Sequence, residues 1–130
     1  AVRLAGNAYG LVGIMRAMVF HGLAKRLYLP KDRMEHHNVV QSDIFEFRKK
    51  DEVRNLTREL AELAQSRIKE ARKHRRAVPK GAHAAVLPMV LADGYLRKLA
   101  KAKFDPFSAE FGLARPASVR LMVNGLLKRY

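Results

Sequence analysis

Few side chains in this 130-residue chain are of types that do chemistry, and their spacing narrows what that chemistry is. Cysteine is absent, so there is neither a disulfide framework nor a thiolate metal site. His36 and His37 are adjacent. Neighbours on a helix point apart and no third ligand lies at a useful spacing, so the pair does not read as a metal site. His74 and His83 are isolated and read as surface or interface residues. The densest grouping is basic. Arg67, Lys69, Arg72, Lys73, Arg75, Arg76 and Lys80 set seven positive charges against one acid, Glu70. Between Arg72 and Arg76 four cations and His74 fall in five residues, enough to surround most of a helix. Such a cluster attracts phosphate backbones or anionic lipid. It equally suits a solvated helix end that complements the helix dipole. No aromatic residue is interleaved with it, so any nucleic-acid contact would be led by phosphate and shape rather than base stacking.

The whole chain shares this bias: 26 Lys and Arg against 12 Asp and Glu give a net charge of +14. That field favours anionic partners, whether RNA, a membrane rich in acidic lipid, or an acidic protein surface. Hydrophobic residues make up 48% of the chain, well above what a disordered tail carries. The length suits one domain. No apolar run reaches the roughly 18 residues that would span a bilayer, and no signal peptide with a cleavage site is visible. The sequence begins with Ala1 rather than Met, which leaves room for a targeting segment or a larger piece ahead of it.

These side chains must be held by helices. Residues 4–22 carry apolar or small residues on nearly every side, which predicts a core helix needing neighbours all round. Gly6, Gly10 and Gly13 weaken its propensity by about 1 kcal/mol each, and close approach of another helix is their expected use. Gly22 is the expected stop. Tyr28-Leu29-Pro30 should be extended, because a residue before proline avoids the helical region. Asp32 and Ser42 are the expected caps of two short helices. Residues 51–74 form the clearest helix, with Val53, Leu56, Leu60, Leu63, Arg67 and Ala71 in its repeat and Glu59, Glu62 and Glu70 outward. Another helix is expected over residues 82–104, with Leu87, Leu91, Tyr95 and Leu99 in its apolar row and Pro88 either kinking it or marking its first turn. A last helix is expected over residues 116–130, with Val119, Met122, Val123, Leu126 and Leu127 inward. Its basic end, Lys128 and Arg129, would pack on a partner, on a membrane surface, or finish the fold. No segment alternates with period two, so the expected class is all-α.

An ordered series of motifs resembles the squalene/phytoene synthase family. Arg16-Ala17-Met18-Val19-Phe20-His21-Gly22, followed by Lys25-Arg26-Leu27-Tyr28-Leu29-Pro30, is similar to the place where the family's second aspartate-rich motif leads into a basic stretch and Tyr-Leu-Pro. Asp32 and Val39-Val40-Gln41-Ser42-Asp43-Ile44-Phe45 look like the short helices that follow. Ala85-Val86-Leu87-Pro88-Met89-Val90-Leu91-Ala92-Asp93-Gly94-Tyr95-Leu96, with Phe104-Asp105-Pro106-Phe107, looks like the penultimate helix and its turn. The resemblance covers at least residues 9–107 and implies the C-terminal half of the helical prenyl-synthase fold, with the N-terminal half absent.

Family enzymes hold magnesium between two carboxylate clusters, and the metal binds a diphosphate and helps it leave. Magnesium demands hard oxygen ligands. Here the resemblance aligns Ala17, Phe20 and His21 with family acids, and no Asp or Glu precedes Asp32. Ala and Phe are not ligands, and imidazole is a poor one for magnesium. Arg16, Ala17, Phe20 and His21 are thus read as a degenerate diphosphate and metal motif, with no catalytic residue, metal or cofactor carried over. His21 is either a residual ligand-binding group or a hydrogen-bonded core histidine. Arg16 either grips a phosphate or pairs with a buried carboxylate.

The form Arg-Ala-x-x-Phe-His-Gly resembles the family's mitochondrial complex I assembly factor branch. That resemblance implies a pseudoenzyme scaffold at the matrix side of the inner membrane, with protein subunits of a larger mitochondrial assembly as partners and no small-molecule substrate. Two other readings stand beside it. One is a structural subunit of the mitochondrial ribosome touching rRNA through the basic helix end, for which the charge argues. The other is half of an isoprenoid synthase.

Overall fold

The computed structural model describes residues 1–112, all of whose regular elements are helical. The helix expected over residues 116–130, and its basic end, lie outside the described residues. Three longer helices carry the core: α1 (Val2–Arg16), α5 (Lys50–Lys73) and α6 (Pro88–Lys101). Between them come α2 (Met18–Leu23), α3 (Lys31–His36) and α4 (Gln41–Phe45), and α7 (Ala109–Gly112) follows α6. Helix α1 packs against both α5 and α6. Arg72 of α5 meets Asp93 of α6, and Arg54 at the other end of α5 meets Asp105 just beyond α6, so these two helices run antiparallel.

Helix α1 buries Ala5, Ala8, Val12 and Met15, steps of three and four that make one narrow stripe. Leu4, Leu11 and Ile14 are half-buried beside it and pack against the core, while the side that carries the glycines is open. Tyr9 is exposed, and a Cβ added at Gly6, Gly10 or Gly13 would meet nothing within 4 Å. The close helix neighbour expected at those glycines is not supplied by the described residues. The single helix expected over residues 4–22 is also two helices. They part at Ala17 (φ −86°, ψ 0°), yet hydrogen bonding runs through the break. Ala17 N–H donates to the Gly13 carbonyl at 3.0 Å, and His21 N–H donates to the Ala17 carbonyl at 2.8 Å.

Gly22 does not stop the chain as expected; α2 runs past it to Leu23. Its role is contact. It is buried, and a Cβ there would lie 3.3 Å from the carbonyl oxygen of Ile44, so glycine lets α2 rest on α4. The helix instead closes at Lys25, whose φ of 52° is left-handed. Asn38, Phe47 and Lys103 close α3, α4 and α6 in the same way. At each, the residue after the left-handed one donates back to a carbonyl in the helix, as Arg26 does to His21 at 2.8 Å and Phe104 to Leu99 at 2.9 Å.

Neither expected cap holds. Pro30 precedes α3 and Asp32 lies in its first turn. Val40 precedes α4, and the side chain of Asp43, not Ser42, accepts the Val40 N–H at 2.9 Å. The reason is reach: a carboxylate in the first turn satisfies an orphan donor as well as an N-cap hydroxyl.

Helix α5 matches its expected span within a residue. Its stripe is Val53, Leu56, Thr57, Leu60, Ala61, Ala64, Ile68 and Ala71. Leu63 and Arg67, expected inward, are exposed, because the alanines at 61, 64 and 71 let neighbours approach on the adjoining side. The helix expected over residues 82–104 starts later. A 3-10 segment, Lys80–Val86, leads to Pro88, which takes the first position of α6 and bends nothing. Met89, Val90, Ala92, Tyr95, Leu96 and Leu99 face the core, while Leu87 and Leu91 are half-buried.

Candidate functional site

Ala17 and His21, four residues apart, share one side of the α1–α2 stretch with Gly13 and Gly10. That side lies away from the buried stripe of α1. Both residues are half-buried, and the His21 ring meets the Tyr28 ring edge-on at 4.7 Å. Phe20 projects outward, 65% exposed. Arg16 sits on a different side. Its guanidinium carbon lies 3.9 Å above the ring centre of buried Tyr95 in α6, a cation–π contact between the end of α1 and the core. The contact of Arg16 with an aromatic face was not anticipated from the sequence.

Two adjoining clefts run along α1 and α5 and share Leu11 and Leu63 in their walls. One, of about 390 Å³, is lined by Gly6, Gly10, Ile14 and Arg67 among others. The other, of about 420 Å³, is lined by Pro30, Arg33, Glu59 and Glu62 among others. Glu59 was expected outward, but it is half-buried and held. His37 Nε2 lies 2.6 Å from its Oε2, and Arg33 binds its Oε1. The hydrogen bond with His37 holds the Glu59 carboxyl below its ordinary value, burial works against this, and the Arg33 charge adds to the lowering. The His36 and His37 rings meet edge-on at 5.1 Å, with His36 exposed and His37 held by Glu59. Among the described residues no group of three or more His, Asp or Glu is placed to hold a metal.

The basic run is partly neutralised from within. Arg72 Nη2 lies 3.3 Å from Asp93 Oδ2, and Lys73 Nζ lies 2.8 Å from Glu70 Oε2. Arg75 is engaged as well. Arg67, Lys69 and Arg76 are exposed, and Lys80 opens the 3-10 segment before α6.

Two buried acids were missed as organising residues. Asp93 is 3% exposed and receives both Arg72 and Arg97, the latter at 2.7 Å. An acid inside the row from Met89 to Leu96 was a legible signal that cations must meet it. Asp43 is also 3% exposed. Besides the Val40 N–H, it meets Lys49 Nζ at 3.3 Å and Arg48 Nε at 3.7 Å. The backbone hydrogen bond from Val40 is the main cause that holds its carboxyl low, with burial opposing and Lys49 adding. Lys49 reaches further, donating to the Asn38 carbonyl at 2.8 Å, and so ties the end of α3 to the start of α5.

Among known proteins, the squalene/phytoene synthase family model matches residues 1–122. The Bos taurus protein named NADH dehydrogenase (ubiquinone) complex I, assembly factor 6 is 34% identical over 102 residues, which is 78% of this chain and 31% of that protein. Its counterparts in Mus musculus and Homo sapiens are 33% and 32% identical with the same coverage. The chain thus spans about a third of the length of the curated relatives it matches. No solved structure matches it.

Proposed function

This chain belongs to the squalene/phytoene synthase family, and on that premise we propose that it is a non-catalytic member acting in the assembly of respiratory complex I, at the matrix side of the mitochondrial inner membrane. The relatives named as complex I assembly factors support the assembly role. The observation that carries the non-catalytic part is the chemistry of one wall. Ala17, Phe20 and His21 offer no anionic oxygen, and no Asp or Glu precedes Asp32. A magnesium–diphosphate complex needs hard oxygen ligands there, and the residues present do not fit it. Arg16, next to Ala17 in the chain, is stacked on Tyr95.

The open side of α1 supports a scaffold that works inside a larger body. Three glycines and Tyr9 on a helix, with clefts beside them, suit a partner element brought from outside these residues. The pairing of Arg72 with Asp93 and of Lys73 with Glu70 favours this reading over the RNA-contacting one, since paired cations release fewer counterions on a phosphate backbone.

Affinity capture of the full-length gene product from mitochondria tests the role. Complex I assembly intermediates should copurify. Capture of ribosomal subunits in their place, lost at raised salt, would put the RNA reading ahead.

A further inference from the structure

A third cleft, of about 220 Å³, runs between α5 and α6. At about 100° per residue, Gln65 in its wall stands about 200° around α5 from both Leu63 and Arg67. The groove therefore opens on the flank of α5 away from the clefts beside α1. Ala61 and Leu96 are buried in its floor, and Ala100 is exposed beside them. One end is Phe104, with the Arg58 guanidinium carbon 5.1 Å from its ring centre. The other is Arg97, which is held with Arg72 on Asp93. On the rim, Glu62 is exposed and makes no ion pair among the described residues.

We propose that residues 116–130 of this chain, which lie outside the described residues, occupy this groove as a helix. Val119, Met122, Val123 and Leu126 fall at i, i+3, i+4 and i+7, the anchor spacing of a helix laid in an apolar groove. A helix over residues 116–130 would be about 22 Å long, and α5 from Arg58 to Arg72 covers about 21 Å. Residues 113–130 carry Arg115, Arg120, Lys128 and Arg129 and no acid, which complements Glu62 on the rim. The point of attachment favours this occupant over a second copy or another protein. Gly112 ends α7, which packs on α6, and Phe111 is fully buried. The segment is thus tethered next to α6 and meets the groove at an effective concentration on the order of millimolar. The chain then closes its α5–α6 side itself, and the open side of α1 is the one left for partners.

These 130 residues contain no cysteine, which gives a clean test. Ala100→Cys or Gln65→Cys is combined with Val123→Cys in the 130-residue chain and oxidised at low protein concentration. Val123 is at the middle of the segment, so it reaches the middle of the groove whichever way the segment runs. A disulfide within one chain is expected from at least one of these pairs. Leu63→Cys with Val123→Cys, on the far flank of α5, should give about tenfold less. Gln65, Ala100 and Leu63 are exposed or half-buried, and far-UV circular dichroism checks that the variants fold. Trypsin gives an independent reading: Ala100→Arg should block the groove and speed cleavage after Arg120 by about tenfold or more. No disulfide from either groove pair, or equal yield from the Leu63 pair, overturns the proposal. So does a disulfide formed only between chains, which would assign the groove to a second copy. Neither measurement depends on the assembly role, so either reading can fail alone.

Discussion

The guanidinium of Arg16 lies over the ring of Tyr95, 3.9 Å from its centre, and joins the last residue of α1 to the middle of α6. The contact turns the cation next to Ala17 in the chain toward the core. It also gives α1 a fixed register against α6, since Tyr95 is buried and cannot follow a shift.

Removing either partner should weaken the fold, and removing both should weaken it by less than the sum. Tyr95→Leu is expected to cost about 2–3 kcal/mol, from lost ring packing and lost attraction. Arg16→Gln should cost about 1 kcal/mol. A double-mutant cycle by urea unfolding should return a coupling of about 0.5–2 kcal/mol. Coupling near zero would mean that the two rest on other contacts.

The glycines of α1 and α2 should respond in opposite ways. Gly10→Ala adds a methyl where nothing lies within 4 Å, and it should stabilise the chain by about 0.5–1 kcal/mol by improving helix propensity. Gly22→Ala sets a methyl 3.3 Å from the Ile44 carbonyl, which is backbone and cannot swing aside. That variant should lose stability by about 1–2 kcal/mol as α2 and α4 are pushed apart. Thermal unfolding of the two variants compares them directly. If Gly10→Ala also weakens capture of partners, the open side of α1 is a contact surface in the assembly.

Much of this was legible in the sequence, for reasons specific to each element. Helix α5 declares itself by apolar residues at three- and four-residue steps, acids at its start and cations at its end. Its stripe was misplaced toward Leu63 and Arg67 because alanine is a weak sequence signal, although Ala64 is fully buried. Helix α1 misled in the other direction. Glycine, alanine and tyrosine look apolar on every side, yet only one row is fully buried and the side with Gly6, Gly10 and Gly13 meets no neighbour among the described residues. The contacts Arg16 with Tyr95 and His37 with Glu59 join residues far apart in the chain, and no local pattern announces them. The motif around Arg16 to Gly22 was readable as a family likeness because its order and spacing persist while its acids do not.

Asp43 should matter more to stability than its short helix suggests. Asp43→Ala leaves the Val40 N–H without its acceptor and removes the carboxylate that Lys49 and Arg48 face. A loss of about 2–3 kcal/mol is expected by chemical denaturation, with Asp43→Asn milder because its side-chain oxygen still accepts from Val40. Equal effects of the two substitutions would show that the backbone bond is not what Asp43 contributes.

Acid should unfold the protein through the same carboxylates. Asp43 and Glu59 hold their protons less tightly folded than unfolded, Asp43 through the Val40 N–H and Glu59 through His37. Each therefore stabilises the fold fully above its ordinary value, 3.8 for Asp43 and 4.5 for Glu59. That contribution drains as pH falls through the lower folded values, when the native carboxylates must take up protons. Stability followed by urea unfolding should drop steeply below about pH 4.5, and Glu59→Gln should flatten the upper part of the drop. A Glu59→Gln profile parallel to the parent's would exclude Glu59 as a source.

The central claim concerns the wall that carries Ala17, Phe20 and His21. Its most direct test is magnesium-dependent release of diphosphate from a prenyl diphosphate by the full-length gene product. The account predicts release no faster than in buffer, with or without a chelator. Robust turnover that needs magnesium and stops on chelation would contradict it.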